Sequence, residues 1–146
     1  MIDKKHIGRK FSPHTVEVEK GRLRFFAKAI GETNPVYNDE EAAMAAGYRD
    51  LPAPPTFAFC LEMDVPNPFA VFEALGINLG KVLHGEQHFT YYEPIFAGNR
   101  ITFESTISDI YDKKDGALEF VIRDITVTNQ DGVRVADLRS VIVVRN

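Results

Sequence analysis

The sequence predicts an α+β fold, with helices first and then one long antiparallel sheet. Three features predict it. A helix-period stretch fills residues 19–30, a short segment at 57–63 is apolar nearly all round, and four strand-like segments occupy the chain from residue 81 onward. A helix that is apolar on every side needs cover on every side, and a curved sheet of long strands wrapped around it supplies that cover.

Each element follows from its residues. Positions 1–10 read as an irregular, charged arm, and 11–19, with Pro13 inside, as a short edge strand or extended lead-in. Leu23, Phe26, Ala27 and Ile30 then recur at helical spacing, and Gly31 follows the last of them, where helices commonly stop. Asn34-Pro35 fixes a turn, because proline pushes its predecessor out of the helical region. Asn38 or Asp39 is placed to cap a helix over 40–46 that ends at Gly47. Pro52, Pro54 and Pro55 exclude regular structure before Thr56, which is placed to cap the apolar helix. A further helical piece is expected over 69–75. Strands are expected at 81–92, 99–111, 117–129 and 133–145, forming a long meander. The last two are joined by Asn129-Gln130-Asp131-Gly132, a hairpin signal. Apolar residues change phase from Leu118-Phe120-Ile122 to Ile125-Val127, which predicts a bulge near Arg123-Asp124. Val141 to Val144 is a solid apolar run, so the last strand is expected to be buried on both faces.

At 146 residues the chain fits a single domain, 1–146, with 45% hydrophobic and 26% charged residues. A net charge of −4 and no basic patch argue against nucleic acid as a partner. No apolar run approaches the roughly 20 residues that span a bilayer, so no membrane is expected. The basic start leads into no apolar run, so no signal peptide is read. Cys60, the single cysteine, makes no intrachain disulfide, which fits a reducing cytoplasm. It reads as a small core residue. His6 and His14 read as solvated, Tyr91 and Tyr92 as strand packing or pocket lining, and Phe57, Phe59, Phe69 and Phe72 as mainly core. His84, Glu86 and His88 alternate, so they are expected on one strand face. There they suit hydrogen-bonded polar positions better than a metal. No cofactor and no metal are expected.

The stretch Gly31-Glu32-Thr33-Asn34-Pro35-Val36-Tyr37 resembles the motif of MaoC-like (R)-specific enoyl-thioester hydratases and dehydratases, Gly-Asp-x-Asn-Pro-hydrophobic-His. Leu83-His84-Gly85-Glu86-Gln87-His88-Phe89-Thr90-Tyr91-Tyr92-Glu93-Pro94-Ile95 is similar to the first long strand of the N-terminal-type, non-catalytic subunits of heterodimeric 3-hydroxyacyl-thioester dehydratases. The resemblance spans essentially the whole chain. It implies a hot-dog fold, dimerised edge to edge, and an acyl thioester of CoA or acyl-carrier protein as ligand.

In that family the Asp and His hold and activate the water added to a 2-enoyl thioester, and His suits the task because it titrates near neutrality. Here those positions hold Glu32 and Tyr37. Glu32 keeps a carboxylate but sets it about an ångström further out, which matters for positioning. Tyr37, with an ordinary pKa of about 10, is a poor base at pH 7. The resemblance also implies substrate-binding roles for Asn34, Pro35, Thr56, Phe57, His84 and His88, with a backbone N–H of Thr56 or Phe57 as oxyanion donor. Two losses in one dyad favour a silent subunit. It would contribute the acyl-binding tunnel while a catalytic MaoC-like partner in a heterodimer brings Asp and His. The alternatives are an active homodimer that uses Glu32 and other residues, and an acyl-thioester binding module without turnover.

Overall fold

A computed structural model describes residues 1–146, and the periodicities resolve into four short α-helices and five strands. Strand β1 (His14–Glu17) precedes helix α1 (Lys20–Ala29). Helices α2 (Glu40–Ala45), α3 (Phe57–Glu62) and α4 (Ala70–Ala74) follow, and then strands β2 (Val82–Tyr91), β3 (Arg100–Lys113), β4 (Leu118–Thr128) and β5 (Arg134–Arg145). No helix is long and apolar enough to cross a membrane.

Helix α1 buries Leu23 and Ala27 and stops at Gly31, whose φ of +70° costs glycine little. Asp39 caps α2, accepting the N–H groups of Glu41 and Ala42 at 2.9 and 3.3 Å. Thr56 does not cap α3. Its backbone is already helical and its side chain makes no capping bond, while the Phe57 N–H donates to the Pro54 carbonyl at 2.9 Å. Helix α3 buries Phe57, Ala58, Leu61 and Glu62 and leaves Phe59 and Cys60 half-buried, so its cover is complete on one side only. Phe69, expected in the core, is 43% exposed.

The sheet is antiparallel, in the order β1-β3-β4-β5-β2. The simple meander is therefore confined to β3, β4 and β5. Strand β2 pairs with β5 at the far edge, because β1 occupies the free edge of β3, with His14 opposite Phe103. The connection between β2 and β3 crosses the end of the sheet. It is stitched down by the bonds Ala53 N–H to Ile95 carbonyl, Ala97 N–H to Leu51 carbonyl and Gly98 N–H to Val18 carbonyl.

Three irregularities shape the strands, one of them in the β4–β5 hairpin, where Val135 is the extra residue between Val127 opposite Ala136 and Thr128 opposite Arg134. The bulge expected in β4 lies instead on its neighbour: Ser108 is the extra residue of β3, between Ile107 opposite Arg123 and Asp109 opposite Ile122. Burial along β4 keeps one phase, with Glu119, Val121, Arg123, Ile125 and Val127 all inward. The apolar pattern changes phase because charged residues take two inward places, while Phe120 packs outside on Tyr111 at 4.8 Å. The second bulge is at Gly85 of β2. A Cβ there would stand 2.9 Å from Val143 Cγ2 and 3.1 Å from the Val141 carbonyl, so only glycine fits. Strand β5 carries the buried run Ser140, Val141 and Ile142, close to the two-sided burial expected.

The concave side of the sheet holds two hydrophobic clusters. One packs Phe57, Ala58 and Leu61 on Phe103, Ile125 and Leu138, and the other packs Val71, Leu75 and Ile77 on Ile110, Val121 and Val144. A polar row runs between them, since register sets Arg123 beside Ser140 and Ser140 beside Gln87. Ser140 Oγ donates to Gln87 Oε1 at 2.7 Å. Arg123 Nη2 donates to Glu62 Oε1 at 2.8 Å, and the two side chains are 10% and 7% exposed. Their remaining buried atoms, Arg123 Nε and Glu62 Oε2, have no partner in the chain.

Removing one member of a buried ion pair strands the other charge, at a cost of about 3–5 kcal/mol, whereas replacing both with apolar residues of similar size is often neutral. Urea denaturation of Glu62→Leu is therefore expected to show a loss of that order, and the double variant Glu62→Leu/Arg123→Met to regain most of it. Equal losses in both would show that the pair carries no uncompensated charge when broken.

Candidate functional site

The loop between α1 and α2 is built by its own side chains. The Gly31 N–H bonds to the Lys28 carbonyl and the Glu32 N–H to the Ala27 carbonyl, which closes α1 and turns the chain outward. Glu32 Oε1 accepts the Asn34 N–H at 2.9 Å, and Asn34 Oδ1 accepts the Val36 N–H at 3.2 Å. Pro35 then opens a 3₁₀ turn through Tyr37, with its fixed φ suited to the first position. Four of the residues singled out by sequence, Glu32, Asn34, Pro35 and Tyr37, thus form one unit. Glu32 holds the loop in shape as well as offering a carboxylate.

Tyr37 is half-buried and enters a cavity of about 300 Å³. Tyr48, Pro55, Tyr91, Tyr92 and Glu93 are among its other walls. Burial first, and then the Glu32 carboxylate, push the Tyr37 hydroxyl above the ordinary tyrosine range. That direction moves it away from service as a base: at neutral pH it is a protonated donor. Tyr91 donates to the Pro55 carbonyl, and burial raises its pKa to about 12. Tyr92 donates to Asp137 Oδ2 at 2.6 Å. No imidazole lines this cavity. The cavity offers one carboxylate, Glu93, several phenolic donors and apolar walls, which suits binding of a largely apolar ligand better than proton transfer.

The remaining sequence candidates lie elsewhere. Phe57 is a core residue, 5.0 Å from Phe26 and beneath Arg22, and its N–H is committed to Pro54. Thr56 is exposed beside Pro55. The Gly85 bulge breaks the alternation on which the shared face of His84, Glu86 and His88 depended. His84 is exposed on the helix side of the strand, stacked on Phe59 at 5.2 Å and within 3.1 Å of Gln87 Oε1. Glu86 and His88 pair with each other on the outer face at 2.8 Å. The three therefore form no common set, and neither histidine lines the tyrosine cavity. His14 is not solvated: it stacks on Phe103 at 5.2 Å, and burial lowers its pKa.

Sequence reasoning missed Tyr48, and of its two readings of Tyr91 and Tyr92, strand packing or pocket lining, the second holds. The available signal was the Tyr-Tyr-Glu-Pro run, because a strand that stops at a proline frees its last side chains from strict alternation.

The chain matches the family model described as "FAS1-like, dehydratase domain region" over residues 5–138. A "UPF0336 protein" of Streptomyces avermitilis is 42% identical over 110 residues, covering 75% of this chain and 73% of that protein. Among solved structures, the truncated HadBC (3R-hydroxyacyl-ACP dehydratase) complex of Mycobacterium tuberculosis superposes with a TM-score of 0.82 at 26% identity. The match covers 94% of this chain and 96% of that one. A "MaoC-like dehydratase" gives a TM-score of 0.85 at 25% identity, with 97% of this chain matching 42% of that one. The architecture is the hot-dog fold that the resemblance implies.

Burial that favours the neutral phenol stabilises the folded chain only while the unfolded chain is also neutral. The Tyr91 contribution is complete below about pH 10 and is lost as pH rises toward 12, because the unfolded tyrosine ionises first. Denaturant unfolding between pH 9 and 11.5 is expected to give a shallower loss of stability for Tyr91→Phe than for the unmodified chain. Parallel curves would show that Tyr91 titrates as it does in the unfolded chain.

Proposed function

The chain belongs to the FAS1-like dehydratase domain region family, and from that membership we propose that it is one subunit of a (3R)-hydroxyacyl-thioester dehydratase or 2-enoyl-thioester hydratase. The observation that carries this reading is the loop at the dyad positions. It is intact as a structure, with Tyr37 in the wall of the cavity and the Glu32 carboxylate close enough to act on its hydroxyl, yet it lacks an imidazole. The chain supplies the wall for an acyl thioester of CoA or acyl-carrier protein. A partner subunit supplies the Asp and His.

In the hydration direction the partner's base takes a proton from water as its oxygen bonds to C3, and C2 receives a proton. In the reverse direction C2 loses a proton and C3 loses hydroxide as water. Tyr37, protonated at neutral pH, serves as a hydrogen-bond donor to the bound thioester and takes no proton. Glu32 orders the loop through the Asn34 N–H. Strand β2 favours a partner along its length: it ends the sheet, and Leu83 and Tyr91 are 46% and 38% exposed along it.

The test is hydration of a short and a long 2-enoyl-CoA by the purified chain, alone and mixed with a dyad-bearing homologue from the same genome. Silence alone and turnover in the mixture are expected. Turnover by the chain alone, abolished in Glu32→Ala, would replace this reading with an active homodimer. Binding without turnover in both would leave a thioester-binding module.

A further inference from the structure

The tyrosine cavity, at about 300 Å³, is too small for a whole carrier thioester, so the carrier's charged end must leave by its mouth. Both carriers bear phosphate at the end of the pantetheine arm, so a cation is wanted at that mouth. Three cations of the surrounding segments are already matched. Lys20 bonds Glu40 and Asp50 at 2.9 and 3.3 Å. Arg24 donates to Glu40 and to the Asn38 carbonyl. Arg134 forms a two-bond clasp with Asp137.

Arg49 has no such partner. It directly follows Tyr48 of the cavity wall. None of the chain's ion pairs includes it, and Asp50 beside it faces Lys20. Its position is nonetheless held. The guanidinium lies 4.9 Å over the ring of Phe96, and Phe96 in turn packs on Tyr48 at 6.0 Å. Phe96 is itself tied to Pro52 by an isolated bridge, and its N–H donates to Asn99 Oδ1 at 2.8 Å. A guanidinium held over an aromatic ring still presents an N–H edge. That edge matches two phosphate oxygens, and the stack limits the entropy lost on binding.

We infer that Arg49 binds the phosphate at the end of the pantetheine arm, with Phe96 and Tyr48 fixing it at the cavity mouth. The inference rests on the proposed thioester site. It assigns to this subunit the recognition of the carrier's anionic end, whether that phosphate belongs to CoA or to the phosphopantetheine of a carrier protein.

Three saturated probes that cannot be hydrated separate the terms: butyryl-pantetheine, butyryl-4′-phosphopantetheine and butyryl-CoA. A butyryl-loaded carrier protein makes a fourth arm. Calorimetric titration of the full chain, with its partner where one is required, is expected to show the phosphorylated probes binding about ten- to hundredfold tighter than butyryl-pantetheine at low salt. Arg49→Ala is expected to abolish that preference while leaving butyryl-pantetheine unchanged, and Arg49→Lys to restore part of it. The arm most weakened by Arg49→Ala, CoA or carrier protein, identifies the source of the phosphate. Equal binding of all probes by the unmodified chain, or a preference that survives Arg49→Ala, overturns the assignment while the thioester site stands. Failure of every probe, butyryl-pantetheine included, overturns the thioester site and the assignment with it.

Discussion

The ion pair between Arg123 and Glu62 is the constraint on which the arrangement of this molecule depends. Helix α3 has only six residues, too few to be stable by itself, so its place over the sheet must come from tertiary contacts. Three apolar side chains fix its height above the floor, but apolar contact is non-directional. The charge-assisted bond from Arg123 fixes where along the floor the helix ends. It also divides the core in two, so that α3 covers one cluster and α4 the other. The start of α3 sits beside Pro55, which receives the Tyr91 hydroxyl at the edge of the cavity. A bond at one end of the helix thereby helps to set the wall of the site at the other.

Much of the architecture was legible because it depends on local chemistry. The α1 period, the Asp39 cap and the loop held by Asn34 and Pro35 are decided within a few residues of each other. The strands were legible for the same reason. Strand order was not, because the pairing of β2 with β5 depends on which edge β1 occupies, and β1 is four residues with a weak pattern. The bulges were not legible either. An extra residue at Ser108 leaves the pattern of β4 as the visible symptom, and the sequence reading assigned the irregularity to the wrong strand. Arg123 reads as a surface residue until Glu62, 61 residues away, is seen opposite it.

The site shows the same split. The loop was found because its motif is contiguous, and Glu32 does lie close enough to Tyr37 to act on its hydroxyl, while Tyr37 alone of the two lines the cavity. Thr56, Phe57, His84 and His88 were assigned by position in the chain and lie elsewhere. For the histidines the reason is Gly85, which reverses the facing of every residue before it relative to those after it. The tyrosines and Arg49 come from separate segments, joined in space by the crossing of the chain between β2 and β3. Spacing alone could not have gathered them.

That same glycine bears on how the molecule avoids indiscriminate self-association. A terminal strand with a regular ladder of free N–H and carbonyl groups is a template on which further copies can add without limit. Strand β2 is terminal, ten residues long, and partly apolar along its outer edge. The irregularity at Gly85 interrupts the ladder near its middle and bends the strand, so an incoming strand finds a matching register only over a short stretch. Such an edge admits one complementary neighbour and resists growth into a continuous sheet.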